Sequence, residues 1–98
     1  QLIRSTLLTL GLLVSPLALA KVPVTATFSI LGDLVQQVGG DQVSVSMLVG
    51  PNGDAHVYQP TPQDIRTLAN SKLLVSNGLS FEGWLERLDT ASGFKGVK

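Results

Sequence analysis

The 98 residues carry 7 Lys and Arg against 7 Asp and Glu, with a single His and no Cys. A formal net charge of zero with 14% charged residues leaves no basic surface able to hold a nucleic-acid backbone by counterion release, so no nucleic-acid partner is expected. Without Cys there is no disulfide framework, no thiolate nucleophile and no sulfur ligand for a metal, and any binding must use O and N donors.

Residues 1–20, QLIRSTLLTLGLLVSPLALA, combine one cation at Arg4, an apolar run from Leu7 to Val14, a helix-breaking Pro16 and the small-residue pattern Ala18-Leu19-Ala20. This predicts a secretory signal peptide cut after Ala20. The apolar run is well short of the roughly 20 residues needed to span a bilayer. A bacterial lipoprotein would need a Cys at the cut, so the expected product is a free periplasmic protein without a lipid anchor.

Val22–Phe28 is rich in β-branched residues and alternates, with Pro23 near its start, where a strand tolerates proline. Ile30, Leu31, Leu34, Val35 and Val38 then recur at helical spacing, with Ser29 ahead as a candidate N-cap and Gly39-Gly40 as the stop. Val43–Val49 alternates and turns continuously apolar, the pattern of a strand entering a buried sheet. Thr61-Pro62-Gln63-Asp64 supplies an N-cap, a Pro at the first helical position and an acid three residues after the cap, followed by Ile65, Leu68 and Ala69. Leu73-Leu74-Val75 reads as a short buried strand. Ser80 is expected to open a last helix, with Phe81, Trp84, Leu85 and Leu88 on its core face.

The order βαβαβα predicts an α/β protein with a parallel sheet, because each parallel return needs a crossover. Gln1 stands where Met would open a chain, and Phe94 and Val97 begin an apolar pattern that does not finish. The expectation is therefore a leader over 1–20 and, over 21–98, a partial N-terminal lobe of a longer protein.

The loop Gly50–Pro60 leaves the carboxyl end of the second strand and holds the only His and the only Tyr. Ligands of open α/β sheets bind at such ends, and imidazole is a common N ligand for transition metals. Asp54 could accept from the second ring nitrogen of His56 and orient it. Asn52-Gly53 is also a hairpin signal, which Pro60 and Pro62 oppose on the far side. By spacing alone, a lone His in a loop is more often a solvated side chain than a ligand, since one imidazole does not make a metal site. No paired acids, nucleophile elbow or second His argues for catalysis, and Asp64 reads as a helix N-terminal charge.

The run Leu48-Val49-Gly50-Pro51-Asn52-Gly53-Asp54-Ala55-His56-Val57-Tyr58-Gln59-Pro60-Thr61-Pro62-Gln63-Asp64 resembles the first metal-ligand motif of the periplasmic metal-binding proteins of ABC transporters, the zinc and manganese family related to the lipoprotein adhesins. The likeness extends through Ala26–Ile30, Asn77-Gly78-Leu79 and Trp84-Leu85. Ala55 stands where that family usually has Pro, and Gln59 where it often has Glu. The resemblance implies a two-lobed protein without enzymatic activity. It implies His56 as one ligand of a divalent ion, Zn²⁺ first and Mn²⁺ next, with the other ligands past residue 98. It further implies a monomer that delivers the ion from the periplasm to a membrane permease. An adhesin-like interaction protein with a structural metal is the alternative, and a secreted α/β enzyme with downstream active residues a more distant one.

Overall fold

A computed structural model describes residues 20–79 and 81–98. The expected leader therefore lies outside the described residues except for Ala20, and so does Ser80. The elements are β1 (Val22–Phe28), α1 (Ser29–Gly39), a short 3-10 turn (Gly40–Gln42), β2 (Val43–Val49), α2 (Pro62–Ala69), β3 (Leu73–Val75) and α3 (Leu85–Ser92). The strands form one parallel sheet in the order β2-β1-β3, the α/β arrangement expected from the alternation of elements. Among the described residues no helix is long and apolar enough to cross a membrane.

As the central strand, β1 buries Val24, Thr25, Ala26 and Thr27 in succession. Two of these four are hydroxyl residues, and burial without partners would be costly. Both have partners: Thr25 Oγ1 lies 2.5 Å from Ser71 Oγ, and Thr27 donates to Glu82. Among the described residues no buried side-chain N or O lacks a hydrogen bond. Outside β3, Val97 forms a parallel bridge with Leu73. Leu74 N–H donates to Val97 O at 2.8 Å and Val97 N–H to Lys72 O at 3.0 Å, so Val97 adds a single bridge at the β3 edge while Phe94 packs against the core.

Two helices differ from the sequence reading. The N-cap of α1 is Phe28, in extended conformation and without a side-chain cap, and Ser29 is the first helical residue. β1 passes into α1 with no intervening loop, so the residue that ends the strand also caps the helix. The rotation of α1 differs too. Gly32 is its buried residue, and a Cβ there would come within 2.5 Å of the Met47 side chain, so the helix meets the sheet along the line through Gly32. That close approach turns Ile30, Leu34 and Val38 outward, at 67%, 56% and 90% exposure.

The last helix starts at Leu85, with Trp84 as its N-cap, and Phe81–Trp84 are turns and bends. Glu82 explains the delay. Its carboxylate accepts from Thr27 Oγ1 at 2.5 Å, Asn77 N at 2.7 Å and Gly78 N at 3.1 Å, which ties the segment back to the end of β1. Trp84 and Leu88 are core residues as expected, whereas Phe81 is exposed. The α2 start matches its signature: Thr61 Oγ1 accepts from Asp64 N–H, and Asp64 accepts from Thr61 N–H in return. Leu68, Leu74, Trp84 and Leu88 pack with Leu48, Val49 and Ala55 beneath the β2–α2 loop.

Candidate metal centre

The loop from Gly50 to Thr61 emerges at the carboxyl end of β2. Gly53 N–H donates to Gly50 O at 3.1 Å, closing a tight turn around Pro51-Asn52. A Cβ on Gly53 would lie 2.6 Å from Val49 Cγ1, so glycine is needed for this close approach. The turn leads into the helix start at Thr61 and does not form the hairpin that Asn-Gly can specify.

Beyond the turn, each residue from Asp54 to Tyr58 except the imidazole itself is fastened. Asp54 Oδ1 accepts from the main-chain N–H of His56 at 2.9 Å, an Asx-type turn. The carboxylate thus shapes the loop, where the sequence reading had it orienting the imidazole. Ala55 is buried, and its carbonyl accepts from Trp84 Nε1 at 2.6 Å. Tyr58 sets its ring edge-on to Trp84 with centroids 5.3 Å apart. Its hydroxyl donates to Asp64 Oδ2 at 2.6 Å, so one carboxylate serves both the α2 cap and the loop. That hydrogen bond to Asp64, then burial, then the negative charge of Asp64, push the Tyr58 phenol up to about 12.

His56 is exposed at the carboxyl edge of the sheet. Its ring centroid lies 5.9 Å from that of Phe81, and Phe81 lies 5.6 Å from Phe28. Residues from β1, the β2–α2 loop and the β3–α3 loop therefore meet beside the imidazole. Gly78 and Leu79, with φ of 78° and 55°, carry the β3–α3 loop through the left-handed region, which is unfavourable for Leu. The Glu82 bonds to Asn77 and Gly78 N–H hold that turn. A cleft of about 560 Å³ opens behind His56, walled by Tyr58, Ile65, Trp84, Arg87 and Leu88.

The chemistry available is that of one imidazole, and the cleft behind it carries the Arg87 cation in its wall. Among the described residues no three His, Cys, Asp or Glu side chains converge on one point. His56 can thus contribute one N ligand to a shell that other groups must complete. Sequence reasoning missed Trp84, Tyr58 and Asp64 as supports of this loop and Glu82 as the support of the β3–α3 loop. The Tyr58–Asp64 pair and the Glu82 bonds to Asn77 and Gly78, four to six residues apart, lie within reach of local pattern reading, whereas the Trp84–Ala55 and Thr27–Glu82 bonds join residues 29 and 55 apart.

The family described as zinc-uptake complex component A, periplasmic (ZnuA), matches residues 24–98. The chain is 37% identical over 67 residues to the iron-binding protein YfeA of Yersinia pestis, covering 68% of this chain and 22% of that protein. It is 35% identical over 65 residues to the manganese-binding lipoprotein MntA of Halalkalibacterium halodurans, covering 66% and 22%. A solved structure of the Mn-bound periplasmic metal binding protein of Candidatus Liberibacter asiaticus superposes with a TM-score of 0.71 at 38% identity, over 81% of this chain and 29% of that one. The chain spans about a fifth to a third of the length of these proteins.

Proposed function

The chain belongs to the periplasmic zinc-uptake component A family, a family of substrate-binding components of metal ABC transporters, and on that premise we propose that its own task is to capture a divalent metal ion through His56. The observation that carries the proposal is the exposed imidazole on a loop whose neighbouring residues are all held. A ligand set out from a stiff frame loses little freedom when the ion arrives. Zn²⁺ is the proposed cargo and Mn²⁺ the next. The zinc-uptake description of the family supports this order, as does the higher affinity of N/O sites for Zn²⁺ than for Mn²⁺. Relatives named for iron and manganese keep the wider class of first-row divalent ions in play.

In this reading the remaining ligands come from His, Glu or Asp residues of a second lobe. The ion is exchanged without any bond chemistry, and a membrane permease receives it from the monomeric carrier. Several relatives are named lipoproteins; with no Cys in residues 1–98, an acyl anchor of that kind has no attachment point within this stretch.

The test is competition dialysis with Zn²⁺ and Mn²⁺ on purified protein carrying this chain, with and without His56→Ala. Loss of a direct ligand should weaken binding by more than the ~100-fold upper range seen for outer-shell partners. Unchanged affinity in His56→Ala would overturn the assignment.

A further inference from the structure

The peptide unit joining Ala55 to His56 is pinned at both of its polar ends. Its carbonyl oxygen accepts from Trp84 Nε1 at 2.6 Å, and its N–H donates to Asp54 Oδ1 at 2.9 Å. Because a peptide unit is planar, two bonds at opposite ends fix its orientation, and with it the direction in which the His56 Cα leaves the loop. The two bonds differ in what they are attached to. Asp54 belongs to the same loop and would travel with it, whereas Trp84 caps α3 and is 3% exposed within the core. Trp84 alone refers this plane to the frame of the fold. Its ring also meets Tyr58 edge-on, so it touches the loop on both sides of His56 and leaves the imidazole free.

We propose that Trp84 is a positioning residue for His56, acting through the indole N–H on the Ala55 carbonyl. The proposal rests on the reading of His56 as a metal ligand. The indole has a single donor, and Ala55 is 7% exposed, so the bond is shielded from water and the carbonyl has no solvent to replace it. The same segment is fastened at Glu82 to Thr27 of β1 and places Phe81 beside the imidazole. Looseness in the Ala55–His56 plane would move the ring nitrogen of His56 relative to an ion whose N–metal distance is set to within about 0.2 Å.

The test compares three proteins carrying this chain: wild type, Trp84→Phe, and Leu88→Ala, which opens the same core but has no bond to the loop. Zn²⁺ affinity is measured by competition under conditions where each is fully folded, and amide hydrogen exchange at residues 54–58 is measured on the metal-free proteins. Trp84→Phe should weaken Zn²⁺ binding by about 10-fold or more, within the 10–100-fold range for outer-shell partners. It should also speed exchange at His56 and Val57, whereas Leu88→Ala should do neither. Equal affinity and exchange in Trp84→Phe and wild type, or equal losses in Trp84→Phe and Leu88→Ala, would overturn the proposal. If Trp84→Phe does not fold, replacing Trp84 by benzothienylalanine keeps the ring shape and removes only the donor, with the same expected and overturning results. Should His56→Ala leave Zn²⁺ affinity unchanged, the ligand assignment fails by itself, and the exchange rates of the metal-free proteins still decide whether Trp84 anchors the loop.

Discussion

The hydroxyl of Thr27 donates to the carboxylate of Glu82 at 2.5 Å, and both side chains are buried although 55 residues separate them. This bond joins the end of the central strand to the β3–α3 loop. Glu82 also accepts from Asn77 and Gly78 N–H, so one carboxylate organises the turn that precedes Phe81 and Trp84.

Glu82→Ala should therefore strip three donors of their acceptor. Of these only Thr27 is buried, whereas Asn77 and Gly78 are exposed; one orphaned buried donor costs about 1–3 kcal/mol, so a loss of about 2 kcal/mol is expected in urea unfolding. Glu82→Gln keeps the shape and one carbonyl acceptor and should lose about half as much. Equal stability of Glu82→Ala and wild type would show that water replaces the carboxylate.

Tyr58 gives the fold an alkaline limit. Its phenol is raised to about 12 in the folded protein against about 10 in an unfolded chain. A raised folded value means that the contribution is fully present below about pH 10 and is lost as pH rises through about 12. Difference absorbance of phenolate between wild type and Tyr58→Phe should show this high midpoint, and Asp64→Asn should lower it by removing the charged acceptor. A Tyr58 midpoint near 10 in the folded protein would contradict the Tyr58–Asp64 bond.

Thr61 caps α2 and receives Asp64 in return. Thr61→Ala should cost about 1 kcal/mol, while Thr61→Ser should be nearly neutral because the hydroxyl acceptor remains. Thermal unfolding of the three proteins separates the two outcomes.

Asp54 is bonded to the main-chain N–H of His56, and either acceptor oxygen type can serve there. Asp54→Asn should thus leave metal affinity within about twofold, since Asn keeps the acceptor and its tolerance of Asx turns. Asp54→Ala should weaken binding by about 10-fold, at the low end for outer-shell groups. A loss in Asp54→Asn as large as in Asp54→Ala would mean that the negative charge, acting on the imidazole, is what matters.

The parts of this protein legible from its residues are those decided by near neighbours in the chain. The strands β1 and β2 follow from alternation and β-branching over 7 residues each, and β3 from a short apolar run of 3. The α2 start follows from Thr61, Pro62 and Asp64 within one turn. The place of His56, beyond the carboxyl end of a parallel strand, follows from element order alone. Other features required the chain to be packed. The outward turn of Ile30, Leu34 and Val38 depends on Gly32 meeting Met47, and helical spacing cannot say which arc of a broadly apolar helix finds the sheet. The start of α3 at Leu85 instead of Ser80 depends on Glu82 being drawn to Thr27. Trp84 is apolar in any sequence pattern, yet its indole N–H ends on the carbonyl before His56. Local periodicity thus determined the elements and the address of His56. Only tertiary structure decided how the His56 peptide plane is tied to the fold, because the Trp84–Ala55 bond closes between residues 29 apart and becomes available only once the sheet brings the β2–α2 loop and the start of α3 to one edge.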